Sequence, residues 1–236
     1  MEPRRPCRQL KELVLSKLIF DPEASPVEGL AGEPAVAPER LSVEWLRARF
    51  ANPPLWPHEK TEEYRLREGM PSPIPAAVLM PLVVREGGLT LLLTQRTAHL
   101  HDHAGQVSLP GGRMDPDDIS SIATALRETE EEVGLAQRHI EVLGTMPDYF
   151  TGTGFRVTPV VGIARPPFEL RADPFEVAEI FEVPLSFLMN GMHHQRRSVQ
   201  LPNGSRRSFY AIPYDRFFIW GATAAMVRNL FHFLRA

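Results

Sequence analysis

Glu128, Glu131 and Glu132 stand at i, i+3 and i+4. On a helix that spacing crowds three carboxylates into an arc of about 100°. Like charges so close repel and cost stability unless a cation sits among them, and a hard divalent ion such as Mg²⁺ or Mn²⁺ suits an all-oxygen set. The plain alternative is a solvated acidic face. The preceding Leu109-Pro-Gly-Gly-Arg113 favours chemistry. Gly111 and Gly112 let bare backbone approach a ligand beside the same helix, which a metal-bridged phosphate needs. Arg127 flanks the carboxylates and can orient Glu128 or Glu131, while Glu130 is expected on the apolar side, outside the cluster.

The element that must carry these groups reads as one helix between two signals. Asp117 and Asp118 are expected as caps just ahead of Ile119, the first apolar-periodic residue. Gly134 falls where a C-terminal glycine ends a helix. Ile119, Ile122, Ala123, Leu126 and Val133 then share one stripe facing a core, with the glutamates opposite.

Arg127-Glu-Thr-Glu-Glu-Glu-Val-Gly-Leu135 resembles the second half of the Nudix box, with Thr129 at an apolar position. The glycine and acidic residue that the box places upstream are found as Gly112 and Asp118, one residue further from the arginine, so the loop is one residue longer. Leu92-Leu-Thr-Gln-Arg96 and Gly105-Gln-Val-Ser-Leu-Pro-Gly-Gly112 resemble, in spacing throughout, the signature of the coenzyme A pyrophosphatase branch. Three positions differ from it: Thr97, His101 where the signature has arginine, and Leu109. A titratable ring makes a weaker phosphate contact than a guanidinium near neutral pH.

The resemblance implies a Nudix α/β/α sandwich, with a mixed central sheet between the box helix and a C-terminal helix. It implies hydrolysis of coenzyme A or acyl-coenzyme A to 3′,5′-ADP and (acyl-)4′-phosphopantetheine. Glu128, Glu131, Glu132 and a backbone carbonyl near Gly112 would hold Mg²⁺ or Mn²⁺, with Glu128, Arg127 and Glu131 as the catalytic set. Arg96, His103, Gly111 and Thr153 would meet substrate, and Glu176 or Glu179 would add a base or ligand. Two alternatives stand beside it: a Nudix pyrophosphatase for NADH or ADP-ribose, and a non-catalytic Nudix-fold binding module. A small nucleotide-derived substrate is the expected partner, and a homodimer is left open.

Composition agrees with a globular enzyme. The 236 residues are 43% hydrophobic and 23% charged, ordinary values for a chain that buries a sizeable core. A net charge of −3 gives no reason to expect bulk nucleic-acid binding. Apolar runs fall far short of the roughly 18 residues that span a bilayer, and no secretory leader is evident. The single cysteine, Cys7, permits no intrachain disulfide and accords with a cytoplasmic location.

Along the chain, residues 1–70 read as an extension and 71–236 as the Nudix domain. Cys7–Phe20 has helical spacing, 21–38 reads as a linker or loose loop, and Ser42–Phe50 reads as a short helix capped by Ser42. Trp45 and Trp56 are expected to pack on the core or on a partner subunit. Ala76–Val84 and Leu89–Thr94 flank a Glu86-Gly-Gly turn and predict a hairpin, with Pro81 hinting at an edge or a bulge. His99, His101 and His103 alternate, but offer too few ligands for a zinc site by themselves. His139–Met146 and Phe155–Ile163 read as strands around a loop, Asp148–Gly154, that either borders substrate or is a plain hairpin connection. Pro202-Asn-Gly-Ser205 predicts a further hairpin. A C-terminal helix starts near Ile219-Trp-Gly-Ala-Thr223 and buries Met226, Val227, Leu230, Phe231 and Leu234.

Overall fold

The computed structural model describes residues 20–59, 72–100, 104–200, 204 and 206–236. The Cys7–Phe20 helix up to residue 19, His101, His103 and most of the Pro202–Ser205 turn lie outside the described residues.

Strand β2 (Ile74–Arg85) and strand β8 (Phe155–Ala164) form the parallel centre of an eight-stranded sheet. Buried on both faces, they need apolar residues at nearly every position, and both sequences supply them. Strand β3 (Gly88–Arg96) returns antiparallel to β2 through the expected turn, with strand β4 (Val107–Ser108) and strand β9 (Val177–Pro184) beside it. Strand β5 (Gly111–Arg113) pairs with β2; strand β6 (Ile140–Thr145) and strand β7 (Tyr149–Phe150) pair with β8.

Alternation along β2 divides the core. Ala77 and Leu79 face helix α2 (Ser121–Val133), meeting Ala125 and Val160. Met80 and Leu82 face the other way, into the cluster that holds both ends of the short helix α3 (Leu185–Leu188) and Val227, Leu230 and Phe231 of helix α4 (Gly221–Arg235). Thus the mixed sheet lies between the box helix and the C-terminal helix. A second, four-stranded antiparallel sheet runs β1 (Val27–Leu30), β10 (Gln195–Gln200), β11 (Arg206–Tyr214), β12 (Phe217–Trp220). No described helix is long and apolar enough to cross a membrane.

Pro81 marks neither an edge nor a bulge. It lies mid-strand opposite Gly162 of β8. On its other side β2 changes partner, from β5 at residues 76–78 to β3 at residues 82–85, with Leu79 donating to the Pro110 carbonyl. Two residues on, Pro81 directs its donorless nitrogen to the same side, into the gap between partners, so no ladder bond is lost.

Residues 20–59 are docked rather than loose. β1 joins the small sheet through β10. Helix α1 (Val43–Ala51) starts at Ser42, whose hydroxyl accepts from the Trp45 N–H, and buries Leu46. Trp45 and Trp56 pack partly buried against the main core. Arg40 donates to the carbonyls of Leu234 and Arg235, and Arg49 to that of Phe233, so two cations cap the carboxyl end of α4.

Candidate active site

The box helix begins two residues later than expected. Its N-cap is Ser120, whose hydroxyl accepts from the Ala123 N–H, while Ile119 is 94% exposed. Gly134 ends it in the left-handed conformation, at φ 72°. The buried face consists of Thr124, Ala125, Thr129, Glu132 and Val133, with Ile122 and Leu126 packed at its flank. Small residues at Ala125 and Thr129 bring the helix close to β2, and the Thr129 hydroxyl donates to the Ala125 carbonyl at 2.6 Å. Glu130, expected on the apolar side, is exposed, and its carboxylate accepts from the Gln137 N–H. Glu132, expected opposite the apolar stripe, is instead drawn beneath the glycine loop at 5% exposure.

Asp117 and Asp118 do not cap the helix. Asp118 staples the loop to it instead, accepting from the Asp115 N–H and the Thr124 hydroxyl. Arg127 Nε and Nη2 also donate to the Asp118 carboxylate, at 3.1 and 2.8 Å. Those bonds hold the Asp118 carboxyl well below the ordinary range and raise Arg127. The Nη1 of Arg127 then reaches Glu128 at 2.9 Å and Glu131 at 3.0 Å. This role of Asp118 was missed in the sequence; the signal was its place one residue off the family's acidic position.

The glycines are required by contact. Gly111, at φ 149°, leaves no room for a Cβ against the Ala77 carbonyl. A Cβ on Gly112 would come within 2.5 Å of the Glu128 carboxylate. The loop and the helix therefore touch through Gly112 and Glu128, and again where the Gly111 N–H donates to Glu132 at 3.2 Å.

Arg96 and Glu176 complete the group. Pairing of β3 with β9 brings them side by side, with Arg96 Nη1 3.8 Å from the Glu176 carboxylate. Burial pushes the Glu132 carboxyl up to about 8; the Gly111 N–H and Arg96 oppose the shift, and Glu176 and Glu128 add to it. Glu128 is likewise raised by burial, against the pull of Arg127 and with a push from Glu131 and Glu176. Arg96 Nε is buried with no hydrogen-bond partner among the described residues.

Glu179, by contrast, is paired with Arg216 on the surface. Thr153 sits on the loop after β7, hydroxyl to hydroxyl with Thr151. That loop is fastened to the start of β2 by the Ile74 N–H donating to the Gly154 carbonyl, near where Arg113 approaches the Phe155 ring.

Among the described residues, no three acidic or histidine side chains already converge on one coordination point. Glu128 and Glu131 both lean on Arg127. The donor set nonetheless fits a hard divalent cation. It offers only oxygens, the Glu128 and Glu132 carboxyls are raised by burial and by neighbouring carboxylates, and the Gly112 backbone lies against the Glu128 carboxylate.

A family model described as the NUDIX domain matches residues 73–200. A protein of Citrobacter koseri named as the uncharacterized Nudix hydrolase NudL is 45% identical over 155 residues, 66% of this chain and 80% of that protein. The protein of the same name from Escherichia coli is 44% identical over the same shares. Among solved structures, a MutT/nudix family protein of Enterococcus faecalis is 17% identical, with a TM-score of 0.43, covering 81% of this chain and 73% of that one.

Proposed function

The chain belongs to the Nudix hydrolase family, and we propose that it uses Mg²⁺ or Mn²⁺ to split the pyrophosphate of coenzyme A or acyl-coenzyme A. The products are 3′,5′-ADP and (acyl-)4′-phosphopantetheine. The observation that carries the reading is the approach of Glu128 and Glu132 to the Gly111-Gly112 loop, with Arg96 and Glu176 adjoining. The choice of coenzyme A rests on the spacing of Leu92–Arg96 and Gly105–Gly112.

Glu128, Glu131 and Glu132, with the Gly112 carbonyl, are the residues that would hold the metal. Bound there, it supplies charge neutralisation of the pyrophosphate and acidification of a water. Arg127 sets the rotamers of Glu128 and Glu131 from a guanidinium fixed by Asp118. Glu128, made more basic by burial, accepts the proton of the attacking water, with Glu176 as the second candidate. Arg96, whose partly exposed guanidinium lies beside Glu176, offers its charge to a substrate phosphate oxygen. Gly111 and Gly112, lacking side chains, let the loop backbone lie against β2 and the Glu128 carboxylate, which brings it to the edge of the cluster.

His101 keeps a second substrate class in view, since the branch signature has arginine there. A panel of coenzyme A, NADH and ADP-ribose with Mg²⁺ separates the two. Preferential cleavage of coenzyme A supports the proposal; cleavage of NADH or ADP-ribose alone retains the metal site and overturns the substrate.

A further inference from the structure

Phe175 has no part in the chemistry above, yet its placement is unusual. The side chain is 76% exposed, forfeiting the burial that ordinarily anchors a phenyl ring. Its backbone is fixed from both sides. The Phe175 N–H donates to Asp173 Oδ1 at 2.8 Å, and its carbonyl accepts from the hydroxyl of buried Thr97 at 2.8 Å. Asp173 in turn donates its N–H to the Glu132 carbonyl at 2.9 Å, and Thr97 donates its own to the Glu176 carbonyl at 3.0 Å. An exposed ring is thus mounted on a segment tied to α2 at Glu132 and to β3 beside Arg96. The next residue, Glu176, faces Arg96 within the carboxylate cluster.

We propose that Phe175 is the platform on which the adenine base of the nucleotide substrate stacks. A nucleotide with its pyrophosphate at the cluster places its base one sugar away, within reach of a residue adjoining Glu176. With its backbone held on both sides, the ring has only its own two torsions left to fix when it stacks on a base. A pantetheine arm or acyl chain would need apolar walls closing around it, and Phe175 stands open. The proposal rests on the nucleotide reading above, but not on coenzyme A itself, because NADH and ADP-ribose also carry adenosine.

The test uses full-length wild type, Phe175→Ala and Phe175→Trp, with Mg²⁺ present. Calorimetric titration with ADP and, separately, with 4′-phosphopantetheine gives the affinities. Base stacking is worth about tenfold or more in affinity. Phe175→Ala is expected to bind ADP about tenfold more weakly, with 4′-phosphopantetheine affinity within about twofold of wild type. Its KM for the cleaved nucleotide rises to match, at unchanged kcat. Phe175→Trp keeps ADP affinity, and ADP quenches its added emission relative to wild type. Equal ADP affinity in wild type and Phe175→Ala overturns the proposal alone, as does a loss confined to 4′-phosphopantetheine. A wild type that neither binds ADP nor cleaves any adenosine nucleotide overturns the functional reading and the stacking platform together.

Discussion

Arg127 grips Asp118 with two parallel donors across nine residues of sequence, Nε to Oδ1 at 3.1 Å and Nη2 to Oδ2 at 2.8 Å. The bidentate pair fixes the plane of the guanidinium, so that its remaining edge faces Glu128 and Glu131. Asp118 is therefore a positioning residue. Asp118→Asn should lower kcat by about ten- to a hundredfold, as losses of groups that orient metal ligands do. KM should change much less. Steady-state kinetics at saturating metal checks this, and an unchanged kcat would show that Arg127 is held by its other partners.

Gly112 separates fold from activity. The Cβ of a Gly112→Ala variant would press on the Glu128 carboxylate, the far end of a flexible side chain. The chain should fold and melt close to wild type, while activity falls by more than about a hundredfold as Glu128 is displaced. Gly111→Ala presses instead on the Ala77 backbone from a left-handed conformation, and should lower the melting temperature itself. Thermal melts run beside activity assays distinguish the two.

Much of this architecture is legible in local pattern. The strand at Ala76–Val84 follows from its continuous apolar run, the turn from Glu86-Gly-Gly, and the burial of Val227, Leu230 and Phe231 from helical spacing. The start of the box helix does not, because Asp118 is as good a cap as Ser120 until Arg127 claims it. Pro81 misled for a similar reason: a strand that changes partners tolerates proline mid-sheet. Within the site, the box glutamates and the glycines were readable. The conjunction of Arg96 with Glu176 depends on strand pairing across a long stretch of chain. The docking of residues 20–59 was hidden because Glu33 and Arg228, 195 residues apart, are joined only by folding.

That buried network should matter for stability. Arg228, 4% exposed, bonds Glu33 at 2.5 Å and Glu59 at 2.6 Å and lies 3.1 Å from His194 Nδ1. Removing one member leaves buried charge uncompensated. Arg228→Met should destabilise by about 3–5 kcal/mol in chemical denaturation. A loss below about 1 kcal/mol would show that the network relaxes freely into water.

His194 makes the same region pH-sensitive. Burial holds it neutral, lowering it to about 4 despite the 2.7 Å bond from its Nε2 to the Leu188 carbonyl. Between its ordinary value and about 4, only the unfolded chain takes up this proton. Its contribution is therefore complete above about pH 6.5 and is lost as pH falls toward 4, by about 3 kcal/mol in all. His194→Gln should flatten the denaturation midpoint against pH across that window; a slope identical to wild type would assign the sensitivity elsewhere.

The most direct measurement pairs wild type with Glu132→Gln. Each is incubated with coenzyme A and Mg²⁺ or Mn²⁺, with and without chelator, and the products are separated by chromatography. Because burial already favours the protonated carboxyl of Glu132, the amide should be tolerated, and the metal-free variant should melt no lower than wild type. The account predicts 3′,5′-ADP and 4′-phosphopantetheine from wild type alone, abolished by chelator, and almost no turnover by Glu132→Gln. Near-normal turnover by Glu132→Gln, or product formation indifferent to chelator, would contradict it.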